Sequence, residues 1–234
     1  MSTESAMKHA VVTGSTGGIG QAIAQRLLQA DWRVTGLDLG PAIVQHDAYR
    51  HVSVDLCDEQ ATDRALHALS DVQALVHAAG LLRVAPLAES DSAEGAHMWK
   101  LHVDAALRLS RHLAPRMAAR GSGRVVLIGS RVAQGMPGRG QYAASKAALV
   151  ALARSWGAEL AGQGVTVNVV SPAATQTGML DAPERAASPA RLPPIGRLIQ
   201  PPEIAALVAF LLSDEAAAIT GQDIAICGGA SLPR

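Results

Sequence analysis

An apolar run from His9 to Thr13 leads directly into Gly14-Ser15-Thr16-Gly17-Gly18-Ile19-Gly20, and a helical pattern opens there and continues to about Ala30. A strand that passes through a glycine-rich turn into a helix brings several backbone N–H groups and the positive end of a helix dipole to one point. An anionic ligand is stabilised at such a point. Gly14 permits the tight turn, Gly18 lets a phosphate approach the backbone, and Gly20 lets the helix pack near the strand. An ordinary strand-to-helix turn also uses glycine, so the segment takes its meaning from what surrounds it.

What surrounds it is an alternation of short apolar runs and longer helical patterns, the rhythm of βαβ units. Further strands are predicted at Arg33 to Leu37, His51 to Val54, Ala74 to His77, Arg124 to Ile128, Thr166 to Val170 and Asp223 to Ile226. Helices are predicted near Glu59 to Ser70, Ala93 to Arg120, Gln141 to Gly162 and Pro202 to Leu212, with Pro115 bending or ending the second of these. Leu39 to Arg50 is too short and irregular for a full crossover helix, so a loop or single turn is expected. The expected fold is a single α/β domain, a Rossmann-type doubly wound sheet of seven mainly parallel strands with helices on both faces. Between Asp181 and Pro202 lie five further prolines. That stretch cannot be a regular core element and is read as a lid over a cleft, at about 178–202.

Composition agrees. With 49% hydrophobic residues but only three Trp, two Tyr and one Phe, the core must be aliphatic, which suits a parallel sheet covered on both faces. Twenty Lys plus Arg balance twenty Asp plus Glu, leaving no field to attract nucleic acid or an anionic membrane. Cys57 and Cys227 lie far apart without metal-ligand spacing, so two buried free thiols are expected, with no disulfide framework and no metal site. No run approaches the roughly 20 apolar residues of a membrane span, and a cytoplasmic setting is expected.

Asp38 ends the second strand eighteen residues beyond Gly20. A carboxylate there accepts hydrogen bonds from adenosine ribose hydroxyls and repels a 2′-phosphate, and the glycine turn holds no Lys or Arg to receive one. NAD is therefore expected over NADP, although Asp38 can also simply begin a turn. Asp55, ending the third strand, can accept from the adenine amino group or cap the strand end.

Tyr142 and Lys146 stand four residues apart in a helical pattern and so share a face. A free tyrosine ionises near pH 10; a neighbouring ammonium favours the phenolate and makes Tyr142 a candidate general base. Such a pair can equally be solvated. Ser130, just past the strand ending at Ile128, can hydrogen-bond the reacting oxygen or satisfy its own turn.

Taken together, TGSTGGIG, His77-Ala78-Ala79-Gly80, Ser130, Tyr142-Ala143-Ala144-Ser145-Lys146 and Asn168 to Thr177 resemble the short-chain dehydrogenase/reductase family of the classical type, along nearly the whole chain. The resemblance implies hydride transfer between a carbinol carbon and nicotinamide, with Tyr142 exchanging the hydroxyl proton and Lys146 binding the nicotinamide ribose. It gives as dinucleotide contacts Gly14, Thr16, Gly18, Ile19, Gly20, Asp38, Leu39, Asp55, Leu56, Ala78, Ala79, Gly80, Val103, Tyr142, Lys146, Pro172, Thr175 and Thr177. Where the family has a catalytic asparagine this chain has His102, which would hold a relay water, pass protons itself, or merely be tolerated. Ala78 and Ala173 stand where the family usually has Asn and Gly. The Ala-rich helices near Ala105 to Ala119 and Ala147 to Leu160 imply a homo-oligomer, a dimer or tetramer.

Within the family, the stretches Val34 to Asp38, Ala74 to Arg83 and Ile219 to Ile224 resemble dehydrogenases that oxidise cyclic dihydrodiols such as 2,3-dihydro-2,3-dihydroxybenzoate to catechols in siderophore or other secondary-metabolite synthesis. A carboxylated ring needs a cation, for which Arg83, Arg131 and Arg139 are candidates, with Met136 and Met179 as apolar walls. A carbonyl reductase of the 3-oxoacyl type, and an NAD-binding sensor or scaffold without turnover, are the alternatives.

Overall fold

The computed structural model describes residues 7–180 and 191–232. Among them seven strands form one sheet: β1 (His9–Thr13), β2 (Arg33–Asp38), β3 (Tyr49–Ser53), β4 (Ala74–His77), β5 (Gly123–Ile128), β6 (Val165–Pro172) and β7 (Asp223–Ile226). Their order is β3-β2-β1-β4-β5-β6-β7, and every neighbouring pair is parallel. Strand order reverses between β1 and β4, and a crevice opens outside the carboxyl ends of parallel strands at such a reversal. Register brings Thr13, Leu37 and His77 level at that edge.

Six helices cover the sheet: α1 (Gly18–Leu28), α2 (Glu59–His67), α3 (Ser92–Trp99), α4 (Ala105–Ala119), α5 (Gly140–Leu160) and α6 (Pro201–Leu211). Successive strand residues face opposite sides. Val12, Val34, Val76, Val126 and Val170 therefore pack with Ile23 and Leu27 of α1 and Ile204 and Val208 of α6. Their neighbours Val11, Leu75, Val125, Leu127 and Val167 pack with Leu66 of α2, Leu109 and Leu113 of α4 and Leu149 of α5. Burial on both faces accounts for strands that read as continuous apolar runs, and emptying one fully buried position such as Leu149 to alanine costs about 2–5 kcal/mol.

Several expectations are corrected. The predicted helix from Ala93 to Arg120 is two helices joined by one π-turn, Lys100–Asp104. Pro115 does not end α4, which runs on to Ala119; proline removes one N–H, and packing of Leu109, Leu113 and Met117 against the sheet holds the helix. β3 begins at Tyr49, and α1 and α2 stop short, at Leu28 and His67. Leu39 to Arg50 forms no helix, as expected. Cys57 and Cys227 are free but only half-buried. Part of the expected lid, residues 181–190, lies outside the described residues; of the rest, Gly178–Leu180 is a short 3-10 turn and Pro201 begins α6. No helix among the described residues is long and apolar enough to cross a membrane.

Candidate active site

The glycine turn is held from below. Gly14 has φ +66, and a Cβ on it would lie 2.7 Å from the backbone nitrogen of Ala79, so only glycine lets β1 and β4 close on each other here. The Thr13 hydroxyl accepts from the N–H groups of Ala78 and Ala79, both at 3.1 Å, and lies 2.9 Å from His77 Nδ1. Tyr49 of β3 donates to Ser15 at 3.1 Å beneath the turn. A Cβ on Gly18 would lie 2.7 Å from Thr177 Cγ2, so the residues after β6 reach back over the opening of α1.

Asp38 is fixed by the same turn. Its two oxygens accept from the backbone N–H groups of Thr16 and Gly40, each at 2.9 Å. A carboxylate has about four acceptor positions, so two remain for a ligand's hydroxyl groups. Asp55 spends one oxygen on the Cys57 N–H at 2.8 Å, the strand-end cap that the sequence allowed, and still faces the crevice.

That crevice is a cleft of about 1200 Å³. Its walls contain every expected dinucleotide contact except Val103, together with Ser130, Arg131, Met136, Arg139 and Met179. Val103 is buried instead, and Leu101 of the π-turn lines the cleft; the wider turn shifts which residue faces outward. Arg83 also falls outside the cleft lining. Its Nε lies 2.9 Å from a Glu94 carboxylate oxygen on α3, which neutralises it locally. Sequence reasoning missed Arg191, which lines the cleft from the proline-rich segment, and Thr13, whose only sequence signal is a hydroxyl at the last position of an apolar strand. Across the proline-rich segment, Thr175 and Ile199 bridge and the Gln176 N–H donates to the Ile199 carbonyl at 2.9 Å.

Tyr142 and Lys146 lie on one face of α5, as their spacing requires, and both line the cleft. Lys146 Nζ donates to the Ile128 carbonyl at 2.8 Å and sits 5.9 Å from the Tyr142 ring centre. Burial pushes its amine down to about 7. Ser130 caps the short turn after β5, its hydroxyl accepting from the Val132 N–H at 3.1 Å, which leaves the hydroxyl proton for another acceptor.

His102 lies behind the cleft wall and is not among its lining residues. It is fully buried, and both ring nitrogens are engaged: Leu81 N–H donates to Nε2 at 3.1 Å, and Nδ1 lies 2.9 Å from Ser145 Oγ. Burial, then the Lys146 charge, holds its ring well below the usual imidazole range. His77 is likewise buried and pushed down to about 3 by burial and then by Lys146. The Leu101 and His102 backbones act in the opposite direction, and its Nε2 makes no formed hydrogen bond among the described residues.

A glycine turn at a helix opening, ribose-directed acceptors at a strand end and a long cleft running to a Tyr–Lys face fit a dinucleotide. Comparison with known proteins agrees. A family profile described as enoyl-(acyl carrier protein) reductase matches residues 14–231. The chain is 34% identical to a 3-oxoacyl-(acyl carrier protein) reductase of Vibrio cholerae, over 95% of this chain and 96% of that protein. It is 35% identical to 2,3-dihydro-2,3-dihydroxybenzoate dehydrogenase of Escherichia coli, over 96% and 97%. Among solved structures it resembles an actinorhodin polyketide ketoreductase with NADPH (28% identity, TM-score 0.89, covering 100% of both chains). It also resembles a 3-ketoacyl-(acyl carrier protein) reductase of Brucella melitensis complexed with NADH (27% identity, covering 96% and 98%, TM-score 0.87).

Proposed function

The chain belongs to the short-chain dehydrogenase/reductase family, and from that premise we propose that it is an NAD-dependent dehydrogenase oxidising a carboxylated cyclic diol, such as 2,3-dihydro-2,3-dihydroxybenzoate, to a ketone that tautomerises to a catechol. One observation carries this reading: the charges of the cleft are separated along its length. Among the described residues its acids, Asp38 and Asp55, lie at the ends of β2 and β3, whereas Arg131, Arg139 and Arg191 lie beyond β5 and β6. The acidic end suits neutral ribose hydroxyls and disfavours a 2′-phosphate. The arginine end suits a carboxylate, which a guanidinium grips with two parallel hydrogen bonds.

The bound nicotinamide would take up the hydride from the carbinol carbon. The protein's own part is the proton. Ser130 donates its free hydroxyl proton to the reacting oxygen and orients it, and the Tyr142 oxygen accepts the proton that leaves. Lys146, with one N–H committed to the Ile128 carbonyl, directs its others toward the ribose and, when charged, favours the phenolate. Gly14, Thr16, Gly18, Ile19, Gly20, Leu39, Leu56 and the Ala78 to Gly80 backbone cradle the dinucleotide, and Pro172, Thr175 and Thr177 hold its reactive end. Met136 and Met179 wall the ring, and the proline-rich segment acts as lid. Leu107 of α4 is about half exposed, consistent with pairing of α4 between copies in a homo-oligomer.

A reductase of 3-oxoacyl thioesters is the second reading, favoured by the equal similarity to such enzymes. The experiment follows nicotinamide absorbance with cyclic diols bearing or lacking a ring carboxylate, with NAD or NADP, and with 3-oxoacyl thioesters and NADPH. Reduction of NAD by the carboxylated diols is expected, with Arg139→Met raising their KM by about 10- to 100-fold and changing the uncarboxylated diol little. Turnover of thioesters alone would replace the reading by the reductase, and tight NAD binding without turnover would replace it by a sensor.

A further inference from the structure

The buried ring of His102 does not line the cleft, yet its two nitrogens join the two walls of the site. Leu81 follows the Ala78 to Gly80 backbone that lines the cleft after β4, and Ser145 lies on α5 between Tyr142 and Lys146. The hydrogen bonds permit one arrangement of protons. Leu81 offers only an N–H, so Nε2 must be bare and accept it. Ser145 donates its hydroxyl proton to the Tyr142 carbonyl at 2.9 Å, so its oxygen must accept from Nδ1–H at 2.9 Å. His102 is therefore neutral with its one ring proton on Nδ1, committed to Ser145. Its ring also packs edge-on to Tyr142, with centres 5.6 Å apart and planes at 85°. A Cβ on Gly80 would lie 3.1 Å from Nε2 and 3.5 Å from Lys146 Nζ, so the ring and the amine converge on the floor there.

We infer that His102 is a positioning residue which ties the Leu81 amide, at the end of the dinucleotide floor, to the helix that presents Tyr142 and Lys146. The inference rests on the reading of Tyr142 and Lys146 as the proton-transfer pair. Thr13 anchors the Ala78 and Ala79 amides from one side, and His102 anchors Leu81 from the other. The ring that reaches both partners is carried on the π-turn at Lys100–Asp104. The charged and titratable groups acting on the ring are Lys146 of α5, His77 of β4 and His97 of α3, and all three disfavour its protonation.

Two readouts separate a clamp from a merely tolerated ring. In cofactor-free protein labelled with 15N-histidine, the His102 resonances should report a neutral ring protonated at Nδ1 and unchanged from pH 8 to pH 5. A ring protonated at Nε2, or one that titrates in that interval, would overturn the inference. The second readout divides the clamp. His102→Asn places an amide where Nδ1 stands, keeping the Ser145 bond and orphaning the Leu81 N–H; His102→Gln places a carbonyl where Nε2 stands and does the reverse. The expectation is a roughly tenfold weaker NAD Kd for His102→Asn at little-changed kcat. For His102→Gln we expect near-native Kd, with kcat about tenfold lower and its pH profile displaced. Lowered Tm in both variants, with Kd and pH profile unmoved, would reduce His102 to core packing. Because the ring spectrum and the Kd need no substrate, they stand whether or not the proposed diol is turned over, and the spectrum alone decides should neither variant fold.

Discussion

The amine of Lys146 should make the stability of the cofactor-free protein climb with pH. Buried, with no carboxylate paired to it among the described residues, the group is pushed by burial from 10.5 to about 7. Between those values the folded chain has released a proton that the unfolded chain still holds, so the unfolding free energy rises with pH, by about 1.4 kcal/mol per pH unit. A depressed folded value of this kind costs the fold most below about pH 7, and the cost shrinks as pH rises and vanishes above the unfolded value of 10.5. From pH 7 to 9.5 the gain amounts to about 3 kcal/mol. Lys146→Met keeps the chain length and most of the apolar contact but removes the titration. Urea denaturation of both proteins, at one fixed protein concentration and with no nucleotide, should therefore give curves of stability against pH that differ by a slope of about 1.4 kcal/mol per unit over this window. Parallel curves would refute the reasoning, because they would mean that the amine stays protonated in the fold, held by groups other than the Ile128 carbonyl.

Three other outcomes follow from named groups. His77, held down to about 3 by burial and then by Lys146, stays neutral in the fold while the unfolded ring protonates below about 6.5. Stability should thus fall with pH from 6.5 toward 3 by about 1.4 kcal/mol per unit, and His77→Asn should flatten that fall in acid denaturation curves. Asp38→Ala removes the carboxylate that Thr16 and Gly40 hold in place, so isothermal titration should show NAD binding weakened by about 10- to 100-fold and the preference over NADP lost. Gly14→Ala puts a Cβ 2.7 Å from the Ala79 nitrogen at φ +66, and cofactor binding should be lost along with several degrees of Tm.

The glycine turn, Asp38, Tyr142 and Lys146 were legible because each is a local pattern: a fixed spacing on a strand end or helix face determines where its side chain points. The sheet was legible for the same reason, its fully buried strands reading as unbroken apolar runs. The placement of Arg83 and Arg191 was not legible, because tertiary neighbours decide it. Glu94 on α3 holds Arg83 outside the cleft, and Arg191 lines the cleft from the segment that is bridged back to Thr175 at Ile199. The burial and partners of His102 were invisible because its hydrogen bonds span 21 and 43 residues of chain, beyond the reach of periodicity.

The account stands or falls on the phenol of Tyr142. Tyr142→Phe removes one oxygen and leaves the floor, the glycine turn and Asp38 in place. Turnover of a carboxylated diol with NAD should fall by at least about 100-fold while the Kd for NAD stays within a few-fold. Turnover within tenfold of the unaltered protein, at equal NAD affinity, would show that the proton leaves by another route.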